Sequence, residues 1–391
     1  MPRYYVQHER IHEDMRYLAG QLLHRGALTE QERQAAVYIR DRFRSYTPDV
    51  EMDEFKAIEN PFYLFASYYA EFLVVTIIAV WWPRVGLCYG ACVFLAYIAE
   101  FMGFPLFSRF LPHFQSQNVI ARFLAAEPRS LFVVTAHYDS GRASPVSRPA
   151  ITLWLRPLHL AVIVSMLAIL ATCAIQALGV FADAAIPMHL AVRWGAVGLL
   201  LSAAAALFHT SMSGEEIRGA NCNASGVAAL LRLAERYAAE PPDTADVWLV
   251  ATGGHESWMA GMRHLLTSHS LDKSRVFILN IEGVGAGGLH YLTEEGMLRM
   301  GPSAQPMIEA AGNVRDAFDA RPGTLRAVPS AAHMAIARGY QAMTVMGLDE
   351  TGLPPHWNWL TDVLTAVDDA AIANASDFCE ALLRRLERQL A

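Results

Sequence analysis

The stretch LFVVTAHYDS, residues 131–140, runs from a continuous apolar segment straight into a histidine and an aspartate two positions apart. A second polar motif, GANCNASG at residues 219–226, stands just before the helix-compatible run Val227–Tyr237. Each has the make-up of a metal-binding loop at the end of a regular element, with imidazole, thiol and carboxylate donors close together. Between them lies sequence apolar enough to cross a membrane twice. That juxtaposition decides the fold: an α/β core, opened beside its polar centre to admit a helical hairpin.

Working outward, short apolar runs bounded by polar turns recur at Asn118–Leu124, Leu131–Ala136, Val247–Thr252, Val276–Glu282 and Met343–Gly347. Strands that are apolar throughout, rather than alternating, belong to sheets covered on both faces. Helical composition separates them, at Val227–Tyr237, after Glu256, at Ala304–Phe318 and at Ala366–Leu390. Near the start, residues 8–25 read as an amphipathic helix ending at Gly26, and Thr29 with Glu32 forms a capping box for a helix through about Phe43. Ser225 is placed to cap the helix that follows the second motif. The expected fold is a mixed, largely parallel sheet flanked by helices.

Composition adds a membrane component. The 391 residues are 53% hydrophobic and 18% charged, and the mean hydropathy of +0.23 is high for a soluble domain. Four apolar runs account for this: Phe62–Trp82 and Val85–Phe104, parted by Pro83-Arg84, then Leu158–Phe181 and Met188–Phe208, parted by a turn with Asp183 and Pro187. Each is close to the roughly 20 residues that cross about 30 Å of hydrocarbon as a helix. Buried core helices are the alternative, but they are usually shorter and carry a polar stripe. Glu71 and Glu100 fall inside the first pair, where an acid marks either an ion path or a helix–helix hydrogen bond.

The domain plan is therefore N-terminal helices at 1–60, a first transmembrane hairpin at 61–112, core at 113–140, a second hairpin at 141–215 and core again at 216–391. Lys56, Arg109, Arg122, Arg142, Arg148, Arg156 and Arg218 flank the spans on the side of the polar domain, against Arg84 and Arg193 opposite. The positive-inside tendency then places the domain in the cytoplasm of a multi-pass protein of a bacterial-type inner membrane. No signal peptide is evident in the charged first 55 residues. Cys88, Cys92 and Cys173 lie in the spans and Cys379 on a helix, so no disulfide framework is indicated. A net charge of −7 gives no footprint for nucleic acid.

In sheets of this kind chemistry gathers in the loops after the carboxyl ends of strands. His137 and Asp139 follow one strand, His255 and Glu256 another, and Glu282 closes a third; Asn221-Cys222-Asn223 precedes a helix, and His356-Trp-Asn358 follows a Pro-Pro turn. Such convergence of nitrogen, sulfur and oxygen donors suits zinc.

At these residues the sequence resembles zinc exopeptidase family 28, the aminopeptidase Y type with glutaminyl cyclase as a distant relative. The resemblance covers about residues 8–60 and 115–391. It implies that His137 binds zinc and Asp139 orients it. The carboxylate that bridges two zincs in that family is replaced by Cys222. The family's pair of general base and ligand falls on His255 and Glu256, its next Asp ligand on Glu282, and its closing His on Asn358, with His356 two residues away. Every replacement can still coordinate, exchange a proton or offer a carbonyl oxygen.

The implied activity is zinc-dependent exopeptidase hydrolysis of N-terminal peptide or amide bonds near the bilayer surface. His255 is either the proton acceptor or a further ligand. The expected cofactor is one tightly bound zinc held by His137, Cys222 and Glu282, with a second ion weak or absent near Glu256, His356 and Asn358. A pseudopeptidase acting as membrane scaffold, and acyl transfer of the glutaminyl-cyclase kind, are the rival readings. Because the second hairpin interrupts the connection between two metal-site loops, the site should face the bilayer, and its partners should be lipid and a peptide at the membrane surface.

Overall fold

A computed structural model describes residues 3–179 and 186–391. In chain order, α1 (Arg3–Met15) runs into a π turn, and α2 (Glu30–Arg44) leads to β1 (Val50–Ile58). The first apolar hairpin, α3 (Pro61–Trp81) and α4 (Pro83–Phe101), precedes β2 (His113–Phe123), β3 (Ser130–His137) and the short β4 (Arg142–Ala143). After the single turn α5 (Pro149–Thr152) comes the second hairpin, α6 (Leu155–Leu178) and α7 (Ile186–Ser213), closed by β5 (Glu215–Glu216). The rest is α8 (Ser225–Ala239), β6 (Ala245–Thr252), α9 (Ala260–Ser268), β7 (Val276–Glu282), β8 (Gly288–Glu295) and β9 (Gly301–Pro302). Then follow α10 (Gln305–Val314), β10 (Arg321–Leu325), α11 (Ala331–Ile336), β11 (Gln341–Leu348) and α12 (Asp369–Leu390). The turn expected at Asp183, with Phe181, lies outside the described residues.

The main sheet has the order β1-β2-β6-β3-β7-β11-β8-β10, with β9 on β8. Its centre, β6-β3-β7-β11, is parallel, while β1, β2 and the β11–β8 pair add antiparallel contacts. Parallel strands here are sandwiched. Phe132, Val134, Ala136, Leu279 and Ile281 face the core shared with α1, α2, α8 and α12. Val133, Val250 and Ile278 face the opposite core under α9 and α11. The period-2 alternation that assigns residues to faces is present, but both faces are dry, so the sequence reads as an unbroken apolar run.

All five expected strands are present, several longer than the apolar runs alone. Expected helix 8–25 is corrected: it ends with the π turn at Arg16–Gln21, and Gly26 instead forms a β-bridge to Ser140. Ser225 opens α8 without capping it; its hydroxyl donates to the Asn221 carbonyl at 2.6 Å and accepts from Val284 N–H at 2.9 Å. Thr29 does cap α2, accepting from Glu32 N–H at 3.3 Å. Glu32 breaks the local box. Its carboxylate accepts from Leu28 N–H at 2.9 Å and, far away in sequence, from Gly254 N–H at 2.7 Å, tying α2 to the loop after β6.

The four apolar helices, of 21, 19, 24 and 26 residues in their apolar stretches, are long and apolar enough to cross a membrane. They pack as one bundle around Phe72, Val75, Met166 and Leu200. Both hairpins enter and leave the domain through paired strands. Ile58 and His113, the ends of β1 and β2, are partners, and so are Arg142 and Glu216 in β4 and β5. A pair of insertions can therefore be accommodated without disturbing the sheet register.

Both acids of the first hairpin are satisfied by nearby groups. Glu100 accepts from the N–H groups of Leu106, Phe107 and Ser108 at 2.6–2.8 Å and from the Ser108 hydroxyl at 2.8 Å, capping the turn after α4. Glu71 accepts from the Tyr89 hydroxyl at 2.6 Å, joining α3 to α4.

Candidate metal centre

The site is built on the carboxyl ends of β3, β6 and β7. His137 is the last residue of β3 and is buried; its Nδ1 hydrogen-bonds the Asp139 carbonyl at 3.1 Å, with an Asp139 carboxylate oxygen 3.6 Å away. That bond places the proton on Nδ1 and turns the Nε2 lone pair inward. Nε2 is buried and has no hydrogen-bond partner. From the loop after β6, His255 stacks on His137 with ring centroids 3.9 Å apart. Glu282 ends β7 and is oriented by Asn280 Nδ2 at 3.1 Å, itself fixed by the Thr135 hydroxyl at 3.0 Å. One ligand atom each from His137, His255 and Glu282 lies within 4.8 Å of the others.

Cys222, Glu256 and Asn358 form an adjoining chain of contacts. The Cys222 thiol points to Asn358 Oδ1 at 3.8 Å, and Asn358 Nδ2 donates to both Glu256 oxygens at 3.3 Å. Glu256 N–H donates to Asp139 Oδ2 at 2.8 Å, so Asp139 orders both the histidine and the neighbouring loop. Asn358 comes this close because residue 141 is glycine: a side chain there would collide with its amide. Asn358 itself has φ +44°. His356 is turned away and bonded through Nδ1 to the Thr361 hydroxyl at 2.8 Å.

Burial and the neighbouring charges together set the direction of each shift. Burial, then Asp139, pushes Glu256 up to about 7, and burial also raises Glu282. Burial, followed by the Asp362, Glu282 and Glu256 charges, drives the Cys222 thiol well up. For His137 burial works downward, but the bond to Asp139 and the charge of Glu282 outweigh it. Burial and His137 lower His255 to about 3. Glu256 and Glu282, gathered together and resisting ionisation, describe a centre short of positive charge.

Two supporting residues escape a reading by motif. Arg25, fully buried, donates to the carbonyls of Tyr138 at 2.8 Å, Arg218 at 2.9 Å and Gly219 at 3.0 Å, so one guanidinium fastens both motif loops. Asp362 accepts from the backbone N–H groups of Asn221 at 2.5 Å and Cys222 at 3.1 Å. Asp362 is visible in the PPHWNWLTD segment; Arg25 gives no local signal for fastening the motif loops, because Tyr138, Arg218 and Gly219 lie more than a hundred residues away.

The first hairpin reaches this loop directly. Trp258, two residues after Glu256, donates from Nε1 to the Phe101 carbonyl at 3.1 Å and packs edgewise on Phe65 at 4.8 Å. Between bundle and centre lies a cavity of about 240 Å³ bordered by Phe65, Phe101, Leu207, His255, Glu256 and Glu282.

The largely parallel sheet thus brings two imidazoles and a carboxylate together at its strand ends, a donor set suited to a metal ion. Residues 204–383 match the model of peptidase family M28. Among solved structures it is similar to an aminopeptidase from Aneurinibacillus sp. strain AM-1, at 13% identity and a TM-score of 0.58 over 96% of this chain and 93% of that one. It is also similar to a glutaminyl cyclase from Bacteroides thetaiotaomicron, at 12% identity and 0.55 over 96% and 97%. A Zn-dependent exopeptidase from Parabacteroides distasonis matches at 11% identity and 0.53 over 96% and 97%. No curated protein sequence matches this chain.

Proposed function

We propose that the chain is a membrane-anchored, zinc-dependent hydrolase of aminopeptidase type, acting on peptide or amide bonds at the bilayer surface. The observation that carries this is the His137–His255–Glu282 group, whose donor atoms lie within 4.8 Å while His137 Nε2 has no other partner. Two histidines and a glutamate are a catalytic zinc set, with room for a further oxygen ligand. The residues fit the ion: an inward lone pair, an oriented carboxylate and a deficit of positive charge. When bound, zinc supplies Lewis acidity to an amide carbonyl and eases deprotonation of water.

Of the two roles open to His255, its ring nitrogen lying within 4.8 Å of the donor atoms of His137 and Glu282 favours ligand. Proton transfer then falls to Glu256, which shares the loop, is held by Asp139 through its own N–H and borders the cavity. Asp139 fixes the His137 tautomer. Cys222 and Asn358 contact each other, and Asn358 also contacts Glu256, so their polar atoms have protein partners; a second ion there is weak or absent. His356, committed to Thr361, takes no part in holding the first ion.

Membrane anchoring is supported by the outer faces of the bundle, where Val74, Ile77, Val80, Leu95 and Val164 are exposed, a surface that lipid covers. The basic residues around the hairpins support an α/β domain on the cytoplasmic side. The substrate is a peptide or amide, and water adds across its C–N bond.

The test is metal content and turnover on purified full-length protein. About one tightly held zinc per chain is expected, lost in His255→Ala and retained in Glu256→Gln, with the latter lowering amide hydrolysis by roughly 10²-fold or more. Two tight zincs, or none, overturn the assignment. Zinc without hydrolysis marks a pseudopeptidase, and release of pyroglutamate marks the cyclase type of acyl transfer.

A further inference from the structure

The cavity beside the centre has an unusual composition for a peptidase site. Its walls include Phe65 and Tyr69 of α3, Phe101 of α4, Leu155 and His159 of α6 and Leu207 of α7. All four apolar helices thus contribute, and the inner end is formed by His255, Glu256 and Glu282. A second cavity of about 240 Å³ meets it at Phe62, Arg142 and Glu256, and continues past Glu59, Thr29 and Ser140. The space within the bundle and the space at its edge, which Thr29, Glu59 and Ser140 border, therefore share Glu256, a residue assigned to the chemistry, as a wall.

Resting on the reading of the centre as an amide hydrolase, we propose that the apolar cavity binds a long acyl chain, making the substrate an N-acyl amide: a lipidated amino acid or peptide. Water adds across the acyl C–N bond, the acyl carbon leaving as a carboxylate and the nitrogen as an amine. Three observations select this class. The cavity opens among helices that lie in lipid, where an acyl chain already resides. Among the described residues, the carboxylates on the apolar cavity's own walls, Glu256 and Glu282, are both committed to the centre, which leaves its apolar part without a partner for the ammonium group of a free N-terminus. Finally, His159 is 93% buried by exposure of 7%. Its Nδ1 faces the Tyr97 hydroxyl at 3.3 Å, and its Nε2 has no partner. A turn of that ring toward the cavity would let Nε2 donate to the carbonyl at the head of an acyl chain, which a purely aliphatic ligand could not accept. Arg142 and Glu59, bordering the polar cavity, then face the amino-acid part of the substrate.

The test uses the full-length protein in lipid nanodiscs and an N-dodecanoylglycine carrying a diazirine in its chain. Labelling should map to Phe65, Tyr69, Leu155 or Leu207, and excess N-lauroylglycine should suppress it at least tenfold while an unacylated dipeptide amide does not. Leu207→Phe, which fills the cavity, should reduce labelling about tenfold. If that variant fails to fold, His159→Leu serves, with about a fivefold loss of N-lauroylglycine affinity and zinc content unchanged. Labelling confined to the outer bundle faces, or equal competition by the dipeptide amide, overturns the proposal. Zinc content and cleavage of N-lauroylglycine on the same preparation judge the hydrolase reading separately, because photolabelling requires no turnover.

Discussion

At the scale of single residues, the centre shows how a substitution acquires meaning from its neighbours. Sequence placed His137, Asp139, Cys222, His255, Glu256, Glu282 and Asn358 in converging loops because strand ends and motif spacing are local information. It left the role of His255 open, since only the three-dimensional approach of two rings distinguishes a donor from a base. Nor could spacing reveal that Asn358 would pair with Glu256, or that Arg25 would reach both motif loops. Glu295 makes a comparable case away from the centre. It is fully buried, bonded to the Ser330 hydroxyl and to Thr344 Oγ1 at 3.0 Å, and burial raises it from 4.5 to about 7. Below pH 4.5 it is protonated in folded and unfolded chains alike and adds no pH dependence. Between 4.5 and about 7 the unfolded chain ionises while the folded one stays protonated, so stability falls as pH rises, by about 3 kcal/mol in all. Glu295→Gln removes that slope: thermal unfolding in detergent should show the variant gaining stability relative to wild type on going from pH 4 to pH 8. A constant difference across that range contradicts the assignment.

At the scale of elements, the segments that were legible are those whose pattern is set by burial along their own length. The strands β3, β6 and β7 are apolar throughout because helices cover both faces, and α12 is amphipathic because one face meets α8 and α10. The edge strands β1 and β10 were not legible. VEMDEFKAI and RPGTL carry charge, glycine or proline and take their strand geometry from the neighbours they pair with, β2 and β8. Glu32 likewise obeys the start signal for α2 while spending its side chain on Gly254, a tertiary contact that no local rule foresees. The loop between β6 and α9 is the element on which bundle and domain depend together, through Trp258. Trp258→Ala removes the ring contacts with Phe65 and Phe101 and the bond to the Phe101 carbonyl, at a cost of about 3 kcal/mol. Trp258→Phe keeps the aromatic packing and loses the hydrogen bond, about 1 kcal/mol. Thermal unfolding in detergent should rank them wild type, Phe, Ala; an Ala variant as stable as wild type shows that the loop does not hold the bundle.

At the scale of the whole molecule, both hairpins enter the α/β domain through paired strands. Both hairpins leave the α/β domain at one side, between Ile58 and His113 and between Arg142 and Glu216, and their helices form one bundle. If that bundle spans the bilayer, both helix pairs return to the side they started from, and the α/β domain lies wholly on one side. The far ends then carry Trp81, Trp82 and Arg84, with the two tryptophans exposed as interfacial anchors are. Seven basic residues near the domain side against two opposite give the orientation its direction. A fluorescent protein fused after Ala391 should therefore be bright in the cytoplasm, while alkaline phosphatase fused there should be inactive. In intact cells, a cysteine introduced at Arg84, in a background lacking the exposed Cys88 and Cys92, should react with an impermeant maleimide, and one at Asp316 should react only after permeabilisation. Reversed labelling places the α/β domain outside the cell and overturns the orientation. Labelling of both sites in intact cells shows that the hairpins do not span, and the apolar cavity would then have to draw its substrate from solution rather than from the bilayer.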